Sequence, residues 1–161
     1  MNTPENTFPT AMGGLKVLEI SSMVSAPFCG KLLASLGAEI IKIEPPKTGD
    51  PSRRRGPFPG DVPHPERSGM FLYLNTGKKS ITLNLDDRKS REILWELTGQ
   101  VDVLVHDLSP SRATELGIGQ EILADGRPDL IATAITPYGS TGPYSEYVAN
   151  DVNIFHAGGE G

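Results

Sequence analysis

The sequence predicts an α/β fold in which a mostly parallel sheet of about five strands carries helices on its faces. Short apolar runs of strand length alternate with helical stretches along the chain. The clearest unit spans residues 15–44, where two such runs flank a segment with leucines at helical spacing. Ligands of parallel sheets bind at the carboxyl ends of the strands, so the turn at residues 21–25 is expected to face a ligand.

The first β-α-β unit has recognisable boundaries. Residues 17–20 form the first strand, and a helix opens at residues 25–27, where a small residue can cap it and proline is tolerated. Gly37 is placed for a left-handed helix end, and residues 38–43 form the second strand. Three leucines are predicted to share the buried face of the helix: Leu32, Leu33 and Leu36.

The next part of the chain begins with a long irregular loop at residues 45–65, which holds 7 of the 14 prolines. Residues 71–75 and 80–85 are predicted strands, separated at Gly77. Asp86 or Asp87 is expected to cap a helix that stops at Gly99. Three apolar residues of this helix are predicted to face inward: Ile93, Leu94 and Leu97.

The last third continues the alternation. Residues 101–106 and 130–135 are predicted strands. Between them, a short helix is expected at residues 109–117 and a turn or short helix at residues 119–124, and a last helical segment begins near Asp151.

Composition favours a cytoplasmic protein that binds neither nucleic acid nor membrane. The net charge is −5, without the basic excess of a nucleic-acid-binding protein. Cys29 is the only cysteine, which rules out an intrachain disulfide, and we expect it to be a small buried residue. Residues 1–13 resemble neither a secretory signal nor a strand or helix, and we expect a mobile tail. The chain lacks an apolar run of membrane-spanning length.

A dinucleotide-binding oxidoreductase is a weaker alternative. Such a fold needs the glycine pattern G-x-G-x-x-G in its first turn, so that backbone amides can reach a pyrophosphate. The turn here reads SSMVSAP, and Gly30 already lies inside the helix. Glu44 stands where a ribose-binding acid could stand, but an acid at a strand end is ordinarily a solvated terminus.

Five segments resemble, in the same order, the class III coenzyme A transferases, the family of formyl-CoA transferase, carnitine CoA-transferase and α-methylacyl-CoA racemase. They are SAPFCGKLLASLGAEIIKIEPPKTGDPSR, NTGKKSITLNLDD, VDVLVHDLSP, PDLIATAITPYGSTGPY and VANDVNIFHAGG. The resemblance implies a Rossmann-like large domain and an interlocked homodimer, or a heteromer. Because family members are more than twice as long, we expect residues 14–161 to be the N-terminal part of an incomplete large domain.

The resemblance implies transfer of coenzyme A (CoA) between an acyl-CoA and a carboxylic acid, with no tightly bound cofactor. A carboxylate attacks the thioester, a mixed anhydride forms, and the returning CoA thiolate gives an enzyme thioester. The family nucleophile is an aspartate that we expect beyond Gly161. The alternative is a catalytically inactive homologue that supports a partner.

Family contacts to CoA carry over to seven positions: Ser22, Met23, Val24, Ser25, Leu83, Asp107 and Leu108. Asp107 and Leu108 replace an asparagine and a phenylalanine of the family, so the sequence loses an adenine-stacking ring and gains a negative charge. The family's phosphate-neutralising basic residues are also replaced, by Pro45, Glu115 and Thr136. The Arg53–Arg55 run could supply replacement charge, or could belong to a solvated loop.

Asp151 stands where family racemases place a proton-transferring aspartate. Their histidine partner is replaced by Asn150, and on a helix His156 would point about 140° away from Asp151. Asp151 is therefore interpreted as a helix N-cap, and racemase chemistry is disfavoured. His64 and His106 lack metal-ligand spacing, so we expect no metal site.

Overall fold

Five parallel strands form one sheet in the order β3-β2-β1-β4-β5. The structure is a computed structural model and describes residues 10–159. The predicted α/β class and the parallel sheet are confirmed. The strands are β1 (Lys16–Ile20), β2 (Glu39–Glu44), β3 (Lys79–Thr82), β4 (Val103–His106) and β5 (Ile131–Ala134).

Helices cover both faces of this sheet. They are α1 (Ser25–Ser35), α2 (Gly69–Asn75), α3 (Arg88–Thr98), α4 (Pro110–Glu115), α5 (Gln120–Gly126) and α6 (Asp151–Ala157), with 3-10 turns at Pro51–Arg54 and Pro59–Asp61. One core packs the sheet against α3, α4 and α5, and includes Leu18, Leu94, Leu104, Ile118 and Leu123. The other core lies under α1 and includes Val17, Ala26, Ala38, Ile40 and Val105. Within residues 10–159, none of the helices is long and apolar enough to cross a membrane.

The prediction of a strand at residues 71–75 is wrong, because this segment belongs to α2. Ser68 caps the helix by accepting the Phe71 N–H at 3.1 Å. The same hydroxyl lies 2.7 Å from the Ser52 carbonyl oxygen, which fixes α2 to the proline-rich loop. A local cap of this kind overrides the strand preference of an aromatic-rich run.

The predicted strand at 80–85 ends earlier than expected, at Thr82. Its alternation is nevertheless correct, since three residues on one side pack against the core: Ile81, Leu83 and Leu85. In α3, Asp87 is the cap and accepts the Ser90 N–H. Leu94 is fully buried and Leu97 packs on the core, but Ile93 is 44% exposed and was wrongly assigned to the inner face.

The inner face of α1 also differs from the prediction. Leu32 and Leu36 are 49% and 45% exposed, and of the three leucines only Leu33 packs against the core. The buried positions of the helix are small residues: Ala26, Pro27 and Gly30. Small residues let α1 approach the sheet closely, and this displaces the larger leucines to the outside. Gly37 has φ +100°, as expected for a residue ending a helix.

Toward the carboxyl ends of β1 and β2, the α1 side of the sheet changes from apolar to ionic. Glu19 and Lys42 are cross-strand neighbours, and their charged atoms lie 3.0 Å apart. Lys42 Nζ also lies 3.0 Å from Asp50 Oδ2, and Lys78 Nζ lies 2.8 Å from Glu19 Oε2. All four side chains are at most 1% exposed. We call these four residues the buried ionic cluster.

Gly30 gives the buried ionic cluster the space that it needs under α1. A Cβ atom at this position would lie 1.9 Å from Glu19 Oε2 and 3.2 Å from Lys78 Nζ. Any larger side chain would therefore have to displace the Glu19–Lys78 ion pair.

We predict that Gly30→Ala destabilises the protein by about 1–3 kcal/mol, because overpacking against a buried ion pair outweighs the gain in helix propensity of about 1 kcal/mol. The free energy of unfolding, measured by urea denaturation, tests the prediction. Ser35→Ala is the control on the exposed end of the same helix, with an expected change within about 0.5 kcal/mol. A Gly30→Ala protein more stable than the parent would contradict the close approach.

Candidate functional site

A cleft of about 240 Å³ lies where β1, β2 and β4 end, next to the segment that follows β3. Of the seven positions proposed to contact CoA, four line this cleft: Ser22, Leu83, Asp107 and Leu108. They come from three distant segments of the chain, which the parallel sheet brings to one edge. Met23 and Val24 follow Ser22 in the turn and Ser25 begins α1, but none of the three is among the lining residues.

Two carboxylates from different loops hold the turn after β1. The Ser22 N–H donates to Asp107 Oδ2 at 2.7 Å, and the Met23 N–H donates to Asp50 Oδ1 at 3.2 Å. Met23 has φ 60°, a left-handed conformation that is costly for a residue with a side chain. The two hydrogen bonds keep the turn in this shape. They also use the N–H groups of Ser22 and Met23 as donors within the protein.

The end of β4 is a polar segment in which His106 is buried and Asp107 is partly buried. Burial raises the pKa of the Asp107 carboxyl above its usual value, although the Ser22 N–H and the Lys42 charge act in the opposite direction. Burial lowers the pKa of His106, so the neutral imidazole is favoured, and its Nδ1 accepts the Leu108 N–H at 3.3 Å. His106 therefore shapes the backbone of the cleft.

Asp50 connects the buried ionic cluster to the cleft. Burial alone would raise the pKa of Asp50, but the Lys42 charge and hydrogen bonds from Ser52 outweigh it, and the pKa lies below its usual value. Burial lowers the pKa of Lys78, which the Glu19 carboxylate partly offsets. Asp50 thus remains an anion that can both pair with Lys42 and accept the Met23 N–H.

Arg53, in the proline-rich loop, is held by residues that flank this loop. It forms a bidentate pair with Glu44, at 2.7 Å from Nε to Oε2 and 2.8 Å from Nη2 to Oε1. A third contact joins Nη1 to Glu66 at 2.8 Å, and the guanidinium lies 3.6 Å from the Phe71 ring centroid. Neither Arg53 nor the exposed Arg54 and Arg55 lines the cleft.

The cationic side chain of the cleft is Arg112, which the sequence analysis missed. It lines the cleft from α4, one helical turn before Glu115. Pro45 also lines the cleft, whereas Thr136 follows the end of β5. The sequence offered one signal for Arg112. Its i, i+3 spacing from Glu115 predicts that the two residues form an ion pair on one face of the helix.

Asp151 is not part of this cleft. It is exposed and occupies the first position of α6. The prediction that Asp151 caps the helix is wrong, because the N-cap is Asn150, whose N–H donates to the Asn153 side chain. The asparagine pair provides the cap without the carboxylate.

A larger cavity, of about 430 Å³, lies between β5 and α5 and contains only one of the seven predicted contacts, Leu108. Its β5 wall is open, since all four residues of that strand are exposed. Among residues 10–159, no group of three or more His, Cys, Asp or Glu side chains is arranged to hold a metal ion.

The chain belongs to CoA-transferase family III, whose pattern matches residues 12–160. It is 40% identical over 141 residues to the acetyl-CoA:oxalate CoA-transferase of Acetobacter aceti, covering 88% of this chain and 35% of that protein. It is 37% identical over 139 residues to the succinyl-CoA:glutarate CoA-transferase of Homo sapiens, covering 86% of this chain and 31% of that protein. The chain therefore spans about a third of the length of these relatives.

Solved structures agree with this assignment. A CAIB/BAIF family protein from Brucella suis superposes with a TM-score of 0.81 at 33% identity, over 93% of this chain and 39% of that one. The Mycobacterium tuberculosis protein Rv3272 superposes with a TM-score of 0.81 at 31% identity, over 93% of this chain and 41% of that one. The Rossmann-like class inferred from the resemblance is thus confirmed.

We predict that Glu44→Gln lowers stability at neutral pH and flattens its acid dependence. Burial would raise the pKa of Glu44, but the Arg53 and Ser80 side chains and the Asp50 N–H lower it from 4.5 to about 2. A depressed folded-state pKa adds stability that is present above the unfolded value and is lost as the pH falls toward 2. The loss at pH 7 is expected to be on the order of 2 kcal/mol.

The free energy of unfolding of both proteins, measured by urea denaturation between pH 7 and 2, tests this prediction. The parent curve should fall more steeply below pH 4.5, and the two curves should converge near pH 2. Glu92→Gln is the control at an exposed α3 acid, and its effect should stay at about 0.5 kcal/mol or less. Parallel curves for Glu44→Gln and the parent would refute the assignment.

Proposed function

We propose that the cleft binds CoA and that the protein transfers CoA between an acyl-CoA and a carboxylic acid. The observation that carries the proposal is the convergence of Ser22, Leu83, Asp107 and Leu108 on one cleft at the carboxyl ends of the strands. Family membership supports the same activity. Ser22 and Leu83 would flank the pantetheine arm, while Met23, Val24 and Ser25 would shape the turn behind it.

The names of the relatives support a carboxylic acid as the acceptor. One relative is described as acting on oxalate and another on glutarate. We propose an acyl-CoA and a carboxylic acid as substrates, with no tightly bound cofactor.

The nucleophilic aspartate is proposed to lie outside the 161 residues, since the chain spans 35% of the oxalate transferase. Asp151 is exposed and away from the cleft, which speaks against a catalytic role for it. An interlocked homodimer or a heteromer would complete the enzyme. A relative from Chloroflexus aurantiacus is described as a beta subunit.

A support role without catalysis is the second candidate. The observation in its favour is that Asp107 and Asp50 already accept the Ser22 and Met23 amides. A ligand would have to bind by other groups or displace two carboxylates, and both routes reduce affinity.

We predict that the 161-residue chain binds CoA with a Kd no tighter than about 100 μM, equivalent to about −5.5 kcal/mol. Titration followed by amide NMR shifts measures the Kd, and residues 22, 83, 107 and 108 should report the binding. No shift in this group at millimolar CoA would overturn the proposal of a CoA site.

The same chain should show no CoA transfer, because the proposed nucleophile is outside it. Incubation with acyl-CoA and a series of carboxylic acids, followed by mass spectrometry, tests this point. Turnover above background, or an acyl adduct on Asp151, would contradict the proposed location of the nucleophile.

A further inference from the structure

Arg112 lies in the cleft between two acidic side chains. Its Nη1 is 2.7 Å from Glu115 Oε2, and its Nη2 is bonded to Asp86. Asp86 lines the cleft together with Arg112, Asp107 and Leu108. The Arg112 side chain is 31% exposed and lines the cleft, so a ligand in the cleft can reach it.

We propose that Arg112 binds a phosphate group of CoA, and that Asp86 and Glu115 hold the guanidinium until the ligand replaces them. This inference rests on the proposed function. It assigns the phosphate contact to a residue that the family resemblance does not mark, since the positions expected to be basic are Pro45, Glu115 and Thr136.

The exchange of partners is energetically accessible. Asp86 and Glu115 are 76% and 51% exposed, and ion pairs at such sites contribute about 1 kcal/mol or less. A guanidinium can match a phosphate in a bidentate, charge-assisted geometry, whereas Asp86 and Glu115 each contact a single nitrogen of Arg112. Once released, both carboxylates are hydrated by solvent.

Glu115 also keeps a cation after the exchange. Arg91 Nη2 lies 3.7 Å from Glu115 Oε1. Arg91 itself is fixed by the backbone carbonyls of Leu85 and Asp86, at 3.0 and 3.1 Å. When Arg112 turns from Glu115 to a phosphate, Glu115 therefore still lies next to the guanidinium of Arg91.

Asp107 opposes phosphate binding less than its charge suggests. Its Oδ2 accepts the Ser22 N–H, so the carboxylate is committed to the turn. Burial raises the pKa of this carboxyl above its usual value, against the opposing effects of the Ser22 N–H and the Lys42 charge. The acids that compete for Arg112 are Asp86 and Glu115, and their removal should strengthen anion binding.

The test compares CoA with pantetheine, which has the same arm but no phosphate. Each is titrated by NMR into the 161-residue chain, into Arg112→Ala and into the double variant Asp86→Asn/Glu115→Gln. Arg112→Ala should weaken CoA binding about tenfold or more and leave pantetheine unchanged. The double variant should tighten CoA binding by about threefold to tenfold, with pantetheine again unchanged.

Arg88→Ala is the matched control, because Arg88 is an arginine 92% exposed on α3, paired with Glu92 and not part of the cleft. It should leave the CoA affinity unchanged. If Arg112→Ala and Arg88→Ala bind CoA equally, the assignment of Arg112 is overturned while the CoA site stands. If neither CoA nor pantetheine shifts the cleft residues in any variant, the proposed function itself fails.

Discussion

The ion pairs of Lys42 organise the carboxyl end of the sheet. This ammonium, 1% exposed, lies between Glu19 of β1 and Asp50 of the loop that follows β2. A buried charge without a partner costs several kcal/mol, so each member depends on the others. Lys78 adds a second cation to Glu19, and Gly30 leaves the space for it. The strands β1 and β2, the helix α1 and the loop after β2 must therefore pack together before these charges can be buried.

The same ion pairs reach the cleft through Asp50. One carboxylate oxygen pairs with Lys42, and the other accepts the Met23 N–H at 3.2 Å. The left-handed conformation of Met23 is thereby tied to a charge that the core already requires. The turn after β1 is consequently held by groups of the protein itself, as a preorganised site would require.

The sequence predicted those parts of the fold that depend on local patterns. Apolar runs located the parallel strands, and Gly37 marked the end of α1. The buried ionic cluster was missed, although the apolar stretches at residues 17–20 and 40–43 each contain one charged residue, Glu19 and Lys42, of opposite sign and in register. The pairing register of β1 and β2 is set by the tertiary structure and is not visible in the sequence pattern. The exposure of Leu32 likewise depends on how closely α1 approaches the sheet, and the helix at Phe71 depends on the Ser68 cap and its contact with the Ser52 carbonyl. Periodicity encodes neither.

Asp107 supports the turn after β1 but offers a ligand no hydrogen-bond donor. At this position the family resemblance expects an asparagine, whose amide both accepts and donates hydrogen bonds, whereas a carboxylate only accepts. Asp107 uses its acceptor for the Ser22 N–H and so preserves the turn. The substitution thus keeps the scaffold and removes a donor from the cleft. We propose that a change of this kind alters what the cleft can bind while the turn is kept, and that anion affinity then depends on the charges around Arg112.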